Sequence, residues 1–287
     1  MAELLKGPDV ANAMDEALTK EIEALKAKGI TPTLNIVVVG DAGPSMAYTN
    51  GAKKTAEKIG MGFELKQFPE DMTQDNFIVE LKKLNEDKNV HGILIMRPMP
   101  AQMNEDVIKY VIAAEKDVDC FNPLNAGKLM FEDPTCFPPC TPTAVMEMID
   151  HFKIETAGKN VVVLGRSMVV GKPAAVLAVG KGKDATVTIC HSKTKDLDKV
   201  CASADVLIAA VGRAKMVKAS WVKPGAAILD VGINFDENGK MCGDVDFEEV
   251  EKVAGSISPV PGGVGSVTTR VLAKHVVKAA KQLNGLA

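Results

Sequence analysis

The chain has 287 residues, 46% of them apolar and 25% charged, with a formal net charge of −3. That length suits two ordinary domains or one large α/β domain, with enough apolar residues to fill real cores. An acidic balance with no block of Lys or Arg argues against nucleic acid or an anionic membrane as partner.

Met1–Lys6 carries no long apolar core, and no apolar run approaches the length of a membrane span. The protein is therefore expected to be cytoplasmic. Its six cysteines are Cys120, Cys136, Cys140, Cys190, Cys201 and Cys242. Cys136 and Cys140 have no second pair or nearby histidine to complete a zinc site, so reduced thiols and no metal are expected.

In chain order, residues 8–28 predict an amphipathic helix with Asp9 as N-cap and Gly29 as its stop. Leu34–Gly40 predicts a strand, and the polar turn Asp41–Ser45 leads into a helix over 46–59. Gly62–Phe68 alternates like a strand, and 73–84 predicts a helix. His91–Met96 is a short apolar run, hence a buried strand, and 104–114 predicts another helix. Strands and helices in alternation mean a parallel sheet, with ligands expected at the carboxyl ends of the strands. Those ends are residues 40–48, 96–100 and 117–121.

Pro134–Pro142 is dense in proline and predicts an extended linker, followed by a helix over 143–152. Val161-Val162-Val163-Leu164 predicts a buried strand. Gly165 follows it, and Gly171 comes six residues later, where a helix is expected to begin. Such glycines let the backbone approach a phosphate, which then meets the amides of the next helix. Gly-x5-Gly is not the usual G-x-G-x-x-G spacing, and a ligand-free βα turn fits it as well. A second strand, Ala185–Cys190, ends in His191-Ser192-Lys193-Thr194. NAD-binding folds place an acidic residue there to hold the ribose hydroxyls. Here hydroxyl, imidazole and ammonium groups take its place, and Arg166 reaches the same side, so NADP is favoured over NAD. A polar surface loop also fits this segment on its own. Asp205–Gly212 and Ala226–Asn234 predict two more buried strands, with Trp221 packing in the turn between them. Ser258–Thr268 is a stiff, glycine-rich loop suited to close backbone approach. A last helix spans 269–283.

Several motifs occur in one order: Ser45-Met46-Ala47-Tyr48, Lys116-Asp117-Val118-Asp119, Asn125–Leu129, Cys140-Thr141-Pro142 and Gly165-Arg166-Ser167. Together they resemble the methylenetetrahydrofolate dehydrogenase/cyclohydrolase family, FolD, over almost the whole chain. The resemblance implies a two-domain α/β fold. An N-terminal α/β catalytic domain would comprise 1–141 plus 269–287, and a Rossmann-type parallel-sheet NADP domain would comprise 142–268. It implies oxidation of 5,10-methylenetetrahydrofolate with NADP in one-carbon metabolism, tetrahydrofolate derivatives as partners, and a homodimer. Tyr48 and Asp119 take the catalytic positions. An aromatic face covers a flat pterin, and a carboxylate accepts from its amino group and ring N–H. Ser45, Pro261, Gly262 and Gly263 join them at the substrate. Gly165, Arg166, Ser167, Gly171, His191, Ser192, Thr194, Gly212 and Ile233 fall at cofactor positions, Ile233 near the nicotinamide.

The sequence departs from the family at two places. A lysine is expected four residues after Tyr48 and a glutamine at the end of the third strand, but Ala52 and Met96 stand there. Lys53 and Lys54 point away from the Tyr48 face, since one residue turns a helix by about 100°. Arg97 stays protonated and so binds anions without shuttling protons. Hydride transfer needs orientation more than an acid or base, whereas hydrolysis of the methenyl product needs proton movement. The dehydrogenase is therefore expected to persist with the cyclohydrolase weak or lost. The alternatives are a fully bifunctional enzyme and a folate- and NADP-binding protein without turnover. A dehydrogenase of a small acid is disfavoured, because His91, His151, His191 and His275 form no His/Arg/Asp set.

Overall fold

Runs of Val, Ile and Leu alternate with amphipathic stretches, and most of the runs become strands buried along nearly their whole length. A computed structural model of the chain describes residues 1–40 and 43–286, without the side chains of Pro44 and Ser45. The first half contains β1 (Glu3–Leu4), α1 (Gly7–Lys26), β2 (Thr33–Val39), α2 (Gly43–Ile59), β3 (Gly62–Phe68), α3 (Gln74–Glu86), β4 (Gly92–Ile95), α4 (Glu105–Ile108) and α5 (Pro123–Met130). The second contains α6 (Cys140–His151), β5 (Asn160–Leu164), α7 (Gly171–Val179), β6 (Thr186–Cys190), α8 (Leu197–Ala202), β7 (Val206–Ala209), β8 (Ala227–Asp230), β9 (Asn234–Phe235), β10 (Met241–Cys242), α9 (Phe247–Val250), β11 (Ser256–Ile257) and α10 (Thr268–Leu283). The chain divides into two units, Met1–Asn12 with Thr141–Thr268 and Ala13–Cys140 with Thr269–Ala287.

In the unit of 13–140, β3, β2 and β4 form a parallel sheet in that order, with Val37 opposite both Lys66 and Ile95. Residues 116–118 run alongside β4, where the Ile93 N–H donates to the Lys116 carbonyl at 2.7 Å. Phe77, Leu81, Ile93, Ile95, Ile108 and Ile112 fill one face. Burial works against charge on Asp15, but Arg270 and Lys58 outweigh it and hold the carboxyl below its usual range. The Arg270 fork reaches the two Asp15 oxygens at 3.0 and 3.1 Å, so α10 and α1 are clamped together. Lys58 of α2 joins the same carboxylate at 2.8 Å.

Some elements differ from expectation. Helix α1 begins at Gly7, so Asp9 lies in its first turn and is not the N-cap. Of the helix expected over 104–114, only Glu105–Ile108 forms, capped by Asn104. The Asn85 amide donates to the Val111 carbonyl at 2.7 Å and accepts the Ala113 N–H at 2.9 Å, replacing the bonds a helix would make. Helix α5, capped by Asn122, was not foreseen.

The other unit holds a parallel sheet in the order β1-β11-β8-β7-β5-β6. Leu164 stands opposite Cys190 and Ala209, and Ala209 opposite Asp230, so four strands end level with one another. Residues 1–12 sit in this unit rather than with 13–140, because β1 adds to the far edge of the sheet through β11. The Gly7 N–H donates to the Gly262 carbonyl at 2.8 Å. A Cβ at Gly7 would fall 2.0 Å from the Gly263 carbonyl oxygen. Among the described residues no helix is long and apolar enough to cross a membrane.

His275 of α10 is buried beside Val118, with Nδ1 2.9 Å from the Val118 carbonyl, so Nδ1 carries the proton. Burial holds the imidazole down to about 4, although the Val118 carbonyl favours the charged form. Its folded value lies below its unfolded one, so its contribution is full above about 6.5 and is lost as pH falls through about 4. Stability measured by denaturant titration should therefore fall by about 3 kcal/mol more in the parent than in His275→Asn across that window. Equal acid dependence of the two proteins would contradict this.

Candidate functional site

The nucleotide-type site grows from the level strand ends. Gly165 follows β5 with φ 135°, its N–H donating to the Cys190 carbonyl at 2.9 Å. A Cβ at Gly165 would lie 2.2 Å from the Ala210 oxygen, and one at Gly171 would lie 2.2 Å from the Gly165 oxygen. Three backbone segments therefore meet where no side chain fits. The Ser167 hydroxyl accepts from the Val170 N–H at 3.0 Å and the Gly171 N–H at 3.4 Å, closing the loop onto α7. Gly165, Arg166, Ser167, His191, Ser192 and Arg213 line a cavity of 270 Å³, with Leu197 and Met216 on its apolar side.

His191 Nδ1 accepts the Lys193 N–H at 3.1 Å, so the ring proton sits on Nε2. That nitrogen stands 3.5 Å from Arg166 Nη1. Two N–H-bearing groups thus converge at the cavity, an arrangement that suits an anion accepting from both. Thr194 is not part of the cavity wall. Its hydroxyl accepts the His191 N–H at 3.0 Å and shapes the turn. Gly212, with φ 65°, lies between the lining residues Val211 and Arg213. A second cavity, of 220 Å³, is walled by Gly232, Ile233, Pro261, Gly262 and Gly263. The expected nicotinamide residue and the glycine-rich loop therefore share one wall. Ile233 is 63% exposed there.

In the other unit, Tyr48 lies half-buried on α2, which follows the carboxyl end of β2. Ala52 is only 2% exposed, and Lys53 lies on the outer face with its ammonium 3.9 Å from Glu57. Helix α2 runs unbroken through Gly51, which keeps Lys53 on that outer face. Ser45 falls in α2, but its side chain lies outside the described residues. Asp119 follows the strand-like segment 116–118, and its Oδ1 accepts the Cys140 N–H at 2.8 Å. Burial raises its carboxyl above the usual range, while that N–H and the nearby Arg97 pull the other way. Arg97 stacks on Phe121 at 4.8 Å. Asp117 plays a different part from Asp119. It accepts from the Phe121 and Asn122 N–H groups and the Asn125 amide, and burial pushes it up to about 6. It shapes the loop that carries Asp119.

Arg213, Asp230 and Asp244 were not expected at the site. Arg213 follows Gly212, beyond the end of β7 at Ala209, and only in the folded chain does it line the same cavity as Arg166. The buried aspartates had a faint signal, the glycines Gly232 and Gly243 beside them.

Two models of known families match the chain. Tetrahydrofolate dehydrogenase/cyclohydrolase, catalytic domain, matches residues 5–119, and tetrahydrofolate dehydrogenase/cyclohydrolase, NAD(P)-binding domain, matches residues 139–284. The Bifunctional protein FolD of Alkaliphilus oremlandii is 56% identical over 281 residues, covering 98% of each chain. The crystal structure of a bifunctional FolD from Campylobacter jejuni superposes with a TM-score of 0.94 at 39% identity, covering 98% of this chain and 99% of that one. A Trypanosoma brucei methylenetetrahydrofolate dehydrogenase-cyclohydrolase, complexed with NADP cofactor and inhibitor, superposes at 0.91 with 35% identity, covering 98% of each.

Gly165→Ala should cost at least about 3 kcal/mol, from clash added to backbone strain. Gly158→Ala, at φ 70° in open space, should cost only about 1 kcal/mol. Thermal unfolding of both variants measures this, and equal losses would show that the close approach to Ala210 is not limiting.

Proposed function

The chain belongs to the tetrahydrofolate dehydrogenase/cyclohydrolase family, and we propose that it oxidises 5,10-methylenetetrahydrofolate to 5,10-methenyltetrahydrofolate with NADP. The carrying observation is the pair of donors at the first cavity, Arg166 Nη1 and His191 Nε2, 3.5 Å apart. A 2′-phosphate oxygen accepts from both, with Ser192 beside them and no carboxylate on the cavity wall to repel it. The glycine cradle at Gly165 and Gly171 gives the dinucleotide backbone room for close approach. Thr194 supports this site through its hydroxyl on the His191 N–H and Gly212 through its backbone, and Ile233 offers its main chain at the nicotinamide end. When bound, the nicotinamide accepts the two electrons that the methylene carbon gives up.

The residues of the other unit orient the substrate. Tyr48 covers the pterin and Asp119 accepts from its amino and ring N–H groups, with Ser45 on the same helix as Tyr48. Pro261, Gly262 and Gly263 belong to the nucleotide unit, where they offer bare backbone at the wall of the second cavity. None of these side chains has to move a proton during oxidation, which needs proximity and alignment.

Hydrolysis of the methenyl product differs. Ala52 offers a buried methyl group where a base is needed, and Lys53 is turned outward to Glu57. Met96 offers no hydrogen bond that would hold a base, and Arg97 stays charged on Phe121. We therefore read the cyclohydrolase step as weak. The relatives' name covers both steps, so the rival reading is full bifunctionality. A homodimer fits through the nucleotide unit, in which β6 is an edge strand with Ile189 43% exposed. A monomer in sedimentation equilibrium would remove that part.

The test is both activities on one preparation, followed spectroscopically. Oxidation should proceed with NADP at least about 10²-fold more efficiently than with NAD, since the paired donors meet only a phosphorylated ribose. Hydrolysis should lag oxidation by about 10² or more. Ala52→Lys combined with Met96→Gln should raise hydrolysis by a similar factor while oxidation changes little. Hydrolysis keeping pace with oxidation in the parent chain would sink the weak-cyclohydrolase reading. NADP binding with no oxidation would favour a protein without turnover.

A further inference from the structure

Asp244 is buried with no exposed surface, yet its carboxylate collects an unusual set of donors. Oδ2 accepts the Val211 N–H at 2.6 Å and the Gly212 N–H at 3.1 Å. Oδ1 accepts the Arg213 N–H at 2.7 Å and the Asn234 amide at 3.0 Å. Successive N–H groups turned onto one carboxylate form an anion nest, here filled by the protein's own side chain. Backbone bonds between the two segments reinforce it: the Lys215 N–H donates to the Gly243 carbonyl at 3.0 Å, and the Val217 N–H to the Asp244 carbonyl at 2.9 Å.

Asp244 is itself held by a second buried carboxylate. Asp230 accepts the Asp244 N–H at 3.0 Å, the Val245 N–H at 3.0 Å and the Gly232 N–H at 3.1 Å. Its own N–H donates to the Ser258 hydroxyl at 2.8 Å, at the entrance to the glycine-rich loop. The space is reserved for these groups. A Cβ at Gly243 would fall 1.8 Å from Asp230 Oδ2, and one at Gly232 would fall 2.3 Å from Asp244 Cγ. The pair is dry, with Asp230 4% exposed and Asp244 0%, and burial pushes Asp230 up to about 7.

A buried charge is costly unless fully hydrogen-bonded, and a loop beyond a strand can be closed without one. The turn that Asp244 fixes is the one that brings Arg213 to the wall shared with Arg166 and His191. We propose that Asp244 is a positioning residue for cofactor choice, fixing the 211–213 backbone so that the Arg213 guanidinium meets the 2′-phosphate of NADP. This rests on the NADP reading above. Arg213 then discriminates NADP from NAD, and Asp244 acts only through it. Asp230 links that turn to the wall of the second cavity.

The test is a double-mutant cycle on the full-length protein, with NADP and NAD affinities measured by isothermal titration calorimetry. Arg213→Ala, an exposed substitution, should weaken NADP binding about tenfold and leave NAD binding unchanged. Asp244→Asn keeps the shape but turns an N–H-bearing group toward the loop amides. It should produce the same selective loss, and the double variant should lose little beyond either single one. In steady-state oxidation the loss should fall on the KM for NADP, with the KM for the folate substrate unchanged. An Asp244→Asn loss equal for NADP and NAD, or additive with Arg213→Ala, would reduce Asp244 to a structural residue and overturn the proposal. If Asp244→Asn does not fold, Arg213→Ala alone still decides: unchanged NADP affinity rejects the proposal. A parent protein that binds NADP and NAD equally would instead reject the NADP reading on which it stands.

Discussion

The nucleotide unit depends on a crowding constraint where its strands end. Four parallel strands finish level, and the chain leaving β5 must pass within contact of the chain leaving β7 and the start of α7. Only bare backbone fits that crossing, so Gly165 and Gly171 are required by space before any ligand is considered. The amides that leave the ladder there need acceptors. Ser167 serves the first loop, Thr194 the second, and Asp244 the third. Each loop is closed by a side chain from within the unit, which leaves the outward-facing groups to meet a ligand.

Charge distinguishes the two edges of this sheet as places for an anionic ligand. A larger cavity, of 350 Å³, opens at the other end of the strands beside Lys159 and Lys223. Those lysines are already matched, to Glu155 at 3.1 Å and Asp205 at 2.7 Å. At the carboxyl edge, Arg166, Arg213 and the Nε2–H of His191 line one smaller cavity. The two carboxyl groups of that region, Asp230 and Asp244, are buried and taken up by backbone N–H groups rather than turned to the cavity. Volume alone favours the opposite edge, whereas the sign and availability of charge favour the carboxyl edge for an anionic ligand.

Much of this was legible in the chain. The run Val161–Leu164 with Gly165 and Gly171 located the first loop and the start of α7, because apolar runs and glycine positions report local backbone needs. The missing carboxylate after Cys190 pointed to NADP, because a replaced residue type is visible in sequence. Three things were not legible. The 104–114 helix was overruled by Asn85, a tertiary contact. The first twelve residues belong to the nucleotide unit because of a two-residue strand, too short to leave a pattern. Asp230 read only as part of a buried strand and Asp244 as a loop residue, since the donors that Asp230 and Asp244 collect come from amides up to 15 and 33 positions away.

The most direct measurement is a crystal structure of the protein with NADP bound. The account predicts the 2′-phosphate between Arg166 and His191, within hydrogen-bond reach of Ser192 and Arg213, with the 211–213 turn still bonded to Asp244. A 2′-phosphate lodged instead beside Lys159 and Lys223, or one facing solvent with Arg166 and His191 unengaged, would contradict it.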